Sequence, residues 1–243
     1  MCQQCELQGL RFSRRRMLGG SAALGGAMGI AAISSVAAWG KDVGAAPNAI
    51  APDEAWKRLL DGNTRYVANN PTNKDFSAGR AARAQAQFPI AGIVSCADSR
   101  VAPELVFDQG PGEVFIVRVA GNFVNDDGLA SLEYGVKFLG IPLLVVLGHS
   151  GCGAVDATIK VIKDKAALPG HLPALVAALK PGVEAAIAKK PGDLLPEAIA
   201  ENVRHNVKRL MTARPVISAL VASGKVKVVG GVYDIATGKV NLI

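Results

Sequence analysis

The sequence predicts an α/β fold in which helices cover both faces of a mostly parallel central sheet. Short apolar runs with little charge, typical of strands buried on both faces, occur at residues 90–95, 114–119, 143–147 and 226–233. Segments with the apolar spacing of helices separate these runs along the chain. Strands that alternate with helices are joined by crossovers, which make neighbouring strands parallel. Residues 240–243 could pair beside the last strand.

The first predicted helix runs from Pro52 to Val67, with Asp53 as its N-cap. Trp56 and Phe138 are candidates for the core. The apolar stripe of this first helix consists of Trp56, Leu59, Leu60 and Val67.

Further helices are predicted from the spacing of apolar residues at 129–139, 152–163 and 195–210. The last of them ends before Pro215. The stretch 168–196 is punctuated by Pro and Gly, which predicts an excursion on the surface rather than a domain boundary. One domain, at residues 52–243, is therefore expected.

The composition excludes several classes of protein. Half of the 243 residues are apolar and 19% are charged, which suits a folded domain rather than a disordered chain. Four cysteines are too few for a disulfide scaffold. The first 40 residues account for +3 of the net charge of +7, and the other 203 residues carry +4 without a basic block. No nucleic-acid partner is therefore predicted.

Residues 1–40 have the pattern of an export signal. Arg14, Arg15 and Arg16 lie in a segment that resembles the twin-arginine signal, and an uncharged run rich in Ala and Gly follows at 17–39. We therefore expect a periplasmic or otherwise exported protein, with the twin-arginine export machinery as a partner and no stable membrane span after cleavage. A retained membrane anchor is the alternative, because the run is long enough to span a bilayer. Residues 41–51 are interpreted as a linker.

Two predicted strands end in turns that carry metal-binding residue types. Cys96 follows the strand at 90–95, and His149 and Cys152 follow the strand at 143–147. The carboxyl ends of parallel strands meet at one edge of a sheet, where functional groups collect. Two thiolates and a neutral imidazole suit Zn²⁺, and three protein ligands with an exchangeable fourth position are typical of a catalytic zinc. The sequence therefore predicts one catalytic zinc site.

The fourth coordination position of this site is left to solvent or to Asp98. Arg100, two residues further on, can form a bidentate pair with that carboxylate. Such a pair would hold Asp98 ionised, either to accept a hydrogen bond from a hydroxide on the metal or to be drawn away from the metal. Zinc lowers the pKa of a bound water from ~15.7 towards ~7, which gives the hydroxide needed to hydrate a small electrophile.

The two motifs stand in a definite order and spacing. C-x-D-x-R at 96–100 is followed, 53 residues after its cysteine, by H-x-x-C at 149–152. This arrangement resembles the β-class carbonic anhydrases, and the resemblance runs from about Pro52 to Gly231. The segments that carry it are CADSRV (96–101), FDQG (107–110), VRVAGN (117–122), LEY (132–134) and LGHSGCG (147–153).

The resemblance implies a β-carbonic anhydrase-like fold and an enzyme of the lyase class. Its reaction would be the reversible hydration of CO₂ to bicarbonate and a proton, by hydroxide on a zinc ion held by Cys96, His149 and Cys152. It also implies that Asp98 and Arg100 gate the metal, with Asp98 as fourth ligand in a closed form and water in its place in an open one.

The resemblance suggests further positions around the substrate. Gln87 would donate a hydrogen bond to bicarbonate, and Phe115 and Tyr134 would line the apolar CO₂ pocket. Gln109 and Arg118 are equally well interpreted as structural hydrogen-bonding residues at the edge of the site. The family assembles as dimers or multiples of dimers with the active site near the subunit boundary. A homodimer or higher homo-oligomer is therefore expected, in which the first predicted helix reaches across to the partner.

Two other functions stay open from the residues alone. One is a catalytically silent zinc- or bicarbonate-binding protein of the periplasm, whose metal is permanently capped by Asp98. The other is a redox domain stabilised by a disulfide between Cys96 and Cys152, which an oxidising compartment would favour. A disulfide would leave His149 and the pairing of Asp98 with Arg100 without a role. That pairing could also be a structural ion pair that only fixes its loop.

Overall fold

The computed structural model describes residues 45–77 and 79–243, and within them the sheet has five strands. The order across the sheet is β2-β1-β3-β4-β5, with β5 antiparallel to β4 and all other neighbours parallel. The predicted mostly parallel sheet is confirmed, and the two strands that precede the predicted zinc ligands, β1 and β3, are neighbours. The strands are β1 (Ala91–Ser95), β2 (Val114–Arg118), β3 (Leu143–His149), β4 (Lys227–Tyr233) and β5 (Val240–Leu242).

Helices connect the strands and cover the sheet. The four helices predicted from the sequence are found within a few residues of their expected ends. Three short helices and one long helix that was not predicted accompany them. The described helices are α1 (Pro52–Val67), α2 (Arg80–Arg83), α3 (Pro103–Val106), α4 (Asp126–Phe138), α5 (Gly153–Asp164), α6 (Leu172–Ala188), α7 (Leu194–Met211) and α8 (Val216–Ala222).

Apolar side chains fill both faces of the sheet because successive residues of a strand point to opposite sides. Ile93 of β1 and Val145 of β3 lie in the cluster formed with α1 and α3. Val94 and Val146, their neighbours in the chain, lie in the cluster formed with α4, α7 and α8. Every residue of β1 and β3 is buried, so the loops that follow these two strands start from a rigid base.

The start of α1 corrects one prediction. Asp53 is not the N-cap: Ala51 occupies that position, Pro52 is the first helical residue, and the cap has no side-chain hydrogen bond. Proline suits the first position of a helix because it has no backbone N–H to satisfy there. Asp53 lies in the first turn, where a negative charge favours the helix dipole, and its carboxylate is 2.6 Å from Lys227 Nζ.

The buried face of α1 packs on its own chain. Trp56 and Leu59 are buried in the cluster with Phe107, whose ring meets that of Trp56 edge-on at 6.5 Å. Val67, predicted as part of this stripe, is 38% exposed at the end of the helix. Any contact of α1 with a partner subunit would therefore use its other face.

The stretch predicted as a surface excursion contains α6, and that prediction is wrong. Val176, Leu179 and Val183 are buried, and the helix packs along α7. Its prolines do not prevent the helix, because one is in the first turn, where no N–H is required, and burial of the apolar face compensates the other. Gly182 allows close packing, since a Cβ there would lie 2.6 Å from Asn202 Cα on α7.

Phe138 is not a core residue, since it is 73% exposed at the end of α4. The buried residues of this helix include Leu132 and Val136, and the helical period places Phe138 on the opposite face. It shares that face with Tyr134, and the two ring centroids are 5.4 Å apart.

The predicted export signal at 1–40 and the first residues of the linker lie outside the described residues. Among the residues that are described, no helix is both long and apolar enough to cross a membrane.

Candidate metal centre

Three buried side chains with metal-binding atoms converge at the carboxyl ends of β1 and β3. Cys96 follows β1 directly, His149 is the last residue of β3, and Cys152 is the N-cap residue of α5. Because the two strands pair in parallel, their ends lie side by side. One ligand atom from each residue lies within 4.8 Å of the other two, and the side chains are at most 4% exposed.

Hydrogen bonding determines which nitrogen of His149 faces this cluster. Nδ1 lies 3.0 Å from the carbonyl oxygen of Ser150, so it carries the proton and donates it there. Nε2 then presents a lone pair, yet it is buried and has no hydrogen-bond partner among the described residues. A buried unpaired nitrogen is costly, and a metal ion would satisfy it.

The two thiols have opposite tendencies. A hydrogen bond from Cys152 lowers the pKa of Cys96 to about 4 against the opposing effect of burial, and His149 and the Gly121 N–H also favour the thiolate. The pKa of Cys152 is raised, first by its bond to Cys96 and then by burial. Burial is the largest effect on His149 and opposes its protonation, but Cys96, the Ser150 carbonyl oxygen and Asp98 together outweigh it and raise the pKa of the imidazole. Two thiolates so close together need a compensating cation, as a soft divalent metal provides.

Asp98 lies beside this cluster and is held by Arg100. Its Oδ1 accepts hydrogen bonds from Arg100 Nε at 2.9 Å and from the Arg100 backbone N–H at 3.0 Å. Its Oδ2 accepts from Nη2 at 2.7 Å and lies 3.9 Å from His149 Nε2. The guanidinium keeps the pKa of the Asp98 carboxyl well below its usual range. The carboxylate is therefore ionised at neutral pH and bound through both oxygens.

Arg118, at the end of β2, holds the backbone of the loop that carries Cys96 and Asp98. Its Nε donates to the Cys96 carbonyl oxygen at 2.9 Å and its Nη2 to the Asp98 carbonyl oxygen at 2.8 Å. Gln109 instead donates to the carbonyl oxygens of Phe107 and Asp108. Of the two residues that the sequence leaves as edge candidates, only Arg118 bonds to the loop of the candidate metal centre.

Two of the three substrate positions suggested by the sequence lie away from the cluster within one chain, and the third is exposed. Gln87 precedes β1 and lines a separate cavity of about 330 Å³ with Arg58 and Glu113. Phe115 pairs with Gly92 near the amino end of the strands, four residues or about 13 Å along the strand from Cys96. Tyr134 is 48% exposed on α4. Their roles stay predictions.

Zinc fits the donor set that the chain presents. Two sulfurs and one imidazole nitrogen are ligands it prefers, and three protein ligands leave a position for an exchangeable molecule. Cys96 and Cys152 are both free cysteines, so the disulfide alternative is not favoured.

Sequence reasoning missed two residues that support the site. The Gly121 N–H lies 3.2 Å from Cys96 Sγ, and the Gly121 carbonyl oxygen accepts a hydrogen bond from Asn202 of α7. Gly121 lies in the segment VRVAGN that carries the resemblance, so it could have been found there. No pattern in the sequence links Asn202 to the site, because its partner is 81 residues away.

Comparison with known proteins agrees with the geometry. The sequence profile of the carbonic anhydrase family matches residues 91–240. A carbonic anhydrase of Mycolicibacterium smegmatis is 39% identical over 193 residues, which are 79% of this chain and 93% of that protein.

Solved structures show the same fold. A β-carbonic anhydrase of Coccomyxa, in complex with acetazolamide, aligns with a TM-score of 0.62 and 31% identity over 76% of this chain and 84% of that one. One of the tetrameric β-carbonic anhydrases of Sordaria macrospora aligns with a TM-score of 0.61 and 23% identity over 78% and 97% of the two chains. On these matches and its cysteine–histidine–cysteine cluster, the chain belongs to the β-class carbonic anhydrases.

Proposed function

We propose that this carbonic anhydrase hydrates CO₂ to bicarbonate and a proton at a zinc ion held by Cys96, His149 and Cys152. The observation that carries the proposal is the convergence of their three buried ligand atoms within 4.8 Å. When bound, zinc supplies a water molecule acidic enough to lose its proton near neutral pH.

Each ligand is prepared for its role by its surroundings. The Ser150 carbonyl oxygen fixes the tautomer of His149, so that Nε2 faces the site. The hydrogen bonds around Cys96 favour its thiolate, which is the form that binds a metal. Burial of all three side chains excludes bulk water from the ligands.

We further propose that Asp98 acts as a hydrogen-bond acceptor beside the open coordination position rather than as a resting ligand. Both of its oxygens are bonded to Arg100, and its nearer oxygen is 3.9 Å from His149 Nε2. An ionised carboxylate in this position can orient a donor hydroxyl towards CO₂. The same carboxylate is a poor proton acceptor, because its pKa is held low.

The substrate pocket is proposed to be completed by a second copy of the chain. Gln87 and Phe115 lie away from the cluster within one subunit, and Tyr134 and Phe138 expose aromatic surface on one face of α4. The similar proteins of Sordaria macrospora are described as tetrameric. A homo-oligomer would cover the aromatic face and could bring these side chains to the site of the partner.

Export is proposed from the sequence alone. The three arginines at 14–16 and the uncharged run after them support passage through the twin-arginine machinery. The protein would then act in the periplasm or outside the cell.

The central experiment measures metal and activity on one preparation. We expect one zinc per chain and stopped-flow CO₂ hydration at pH 7, pH 9 or both, with metal and activity lost together in Cys152→Ser. Stoichiometric zinc without activity at either pH would indicate the silent binding protein instead. A chain isolated with neither zinc nor activity would overturn the proposal.

A further inference from the structure

Two buried asparagines of α7 bond to the loop after β2. Asn202 and Asn206 are each 1% exposed, and a buried amide is costly unless its hydrogen bonds are made. Asn202 Nδ2 donates to the Gly121 carbonyl oxygen at 2.8 Å, and Asn206 Oδ1 accepts from the Val124 N–H at 2.8 Å. Asn206 Nδ2 in turn donates to the backbone and side-chain oxygens of Asn202, at 2.8 and 3.1 Å. The helix therefore holds the loop at two points.

The loop residue held by Asn202 also bonds to a proposed metal ligand. The backbone N–H of Gly121 lies 3.2 Å from Cys96 Sγ, while its carbonyl oxygen is bonded to Asn202. Gly121 has a φ of +82°, and a Cβ there would lie 2.8 Å from both methyl groups of Leu179. Glycine is thus required both for the backbone conformation and for the space.

The support behind Asn202 is itself tightly packed. Leu179 and Gly182 lie on α6, and a Cβ at Gly182 would meet the Asn202 backbone nitrogen at 2.9 Å. α6 therefore contacts Gly121 through Leu179 and Asn202 through Gly182. A shift of the loop or of Asn202 towards α6 would therefore meet atoms of that helix.

We propose that Asn202 is a positioning residue for the metal centre, acting through Gly121 on the thiolate of Cys96. The inference rests on the zinc site proposed above. The hydrogen bonds of the Asn202 side chain go to Gly121 and Asn206 and not to Cys96, His149 or Cys152. By fixing Gly121 it keeps an N–H directed at the sulfur, which stabilises the negative charge there and sets the position from which Cys96 binds zinc.

The test compares Asn202→Ala with Asn48→Ala in the zinc-loaded full chain. Asn48 is a matched control: it is 2% exposed, and its amide also donates to backbone carbonyl oxygens, here the two of Pro89 and Leu139. Zinc release to an excess of chelator should be about 10- to 100-fold faster in Asn202→Ala, the range typical of lost outer-shell partners. The control should release zinc at the wild-type rate even where its melting temperature falls equally.

A spectroscopic measurement separates positioning from general loss of stability. In the cobalt-substituted protein, the thiolate-to-cobalt charge-transfer band of Asn202→Ala should move to longer wavelength, because a thiolate without its N–H donor gives up an electron more readily. Asn206→Ala should shift the band in the same direction by less, and it carries the test if Asn202→Ala does not fold. An unchanged band and release rate, or equal changes in Asn48→Ala, would overturn the inference. Failure of the wild-type chain to bind zinc would instead overturn the proposed function.

Discussion

Arg100 binds both carboxylate oxygens of Asp98, and one of those oxygens lies 3.9 Å from Nε2 of His149. The carboxylate therefore lies next to the proposed zinc ligands and accepts three hydrogen bonds from Arg100, which leave Oδ2 able to accept one more. A carboxylate that met no such competitor would be an obvious fourth ligand for a divalent cation. The pairing with Arg100 keeps the negative charge of Asp98 near the fourth coordination position and reduces the tendency of the carboxylate to bind there.

Removal of this carboxylate should separate metal binding from catalysis. Asp98→Ala is expected to retain one zinc per chain, because the three buried ligands are untouched. It should lose CO₂ hydration by about 100-fold, the lower range for a lost hydrogen bond that orients the reacting groups. Metal analysis and stopped-flow hydration of the same sample check both parts. Full activity in this variant would count against any role of Asp98 in the reaction.

Arg118 should matter through the loop that it holds. Arg118→Ala removes the donors to the carbonyl oxygens of Cys96 and Asp98, so we expect zinc affinity to fall by about 10- to 100-fold. Competition with a chelator measures this. Arg209→Ala is the control, since Arg209 pairs with the exposed Asp126, and its zinc affinity should equal that of the wild type. Equal affinities in all three proteins would show that the loop keeps its shape without Arg118.

The metal ligands could be predicted from the sequence because each has a distinctive side chain and follows a recognisable strand. Cys96 and His149 needed only the rule that parallel strands end at one edge of the sheet. Asn202 could not be predicted in this way, since its role depends on two peptides brought together by packing of α6 on α7. The same packing made α6 helical despite its prolines, against the local signals in residues 168–196.

Exposure was the least predictable feature of individual residues. Phe138 resembles a core residue by type, yet the stripe that α4 buries runs through Leu132 and Val136. Which residues of a helix face the sheet depends on the rotation of the whole helix. That rotation is set by the sum of its contacts, including Gly135 against Ile141.

A charge on the exposed aromatic face of α4 should dissociate the proposed oligomer. Phe138→Glu places a carboxylate where a partner subunit would bury the ring of Phe138, which is 73% exposed in one chain. Light scattering should show a smaller particle, and CO₂ hydration should fall with it if the partner completes the pocket. Met211→Glu, a comparable change at the exposed end of α7, should leave the particle mass unchanged. An oligomer of undiminished size in Phe138→Glu would exclude this face as the interface.

If the export proposal is right, export of the protein depends on two adjacent arginines of the signal. Replacing Arg14 and Arg15 by lysine keeps the charge but should prevent recognition, so the protein should stay in the cytoplasm with its full mass. The wild-type chain should be recovered from the periplasm or medium, cleaved near the end of the uncharged run, where the small residues Ala37 and Ala38 suit a cleavage site. Cell fractionation and mass spectrometry check both, with Arg11→Lys as control. A full-length wild-type protein in the membrane fraction would support the retained anchor instead.

Asp108 gives a prediction for stability that is independent of the metal. Its buried carboxylate accepts hydrogen bonds from the backbone and hydroxyl of Thr72, from the Asn73 N–H at 3.1 Å and from Arg65 Nε at 2.6 Å. Burial alone would raise the pKa of Asp108, but these donors outweigh it and hold the pKa well below its usual range. A carboxyl whose pKa is lowered by folding stabilises the fold above its unfolded pKa of about 3.9, and this contribution is lost as the pH falls below that value.

Asp108→Asn should therefore lower the free energy of unfolding by about 3 kcal/mol at pH 7, because an amide cannot accept all of these bonds and places its own N–H against other donors. The difference from wild type should shrink as the pH is lowered from 5 towards 3, where the wild-type carboxyl takes up its proton on unfolding. Urea unfolding over this range measures it, and any release of metal in acid is common to both proteins. Asp61→Asn, which removes an exposed partner of Lys57, should match the wild type throughout. A difference that stays constant down to pH 3 would mean that the charge of Asp108 contributes nothing and that only the shape of its side chain is required.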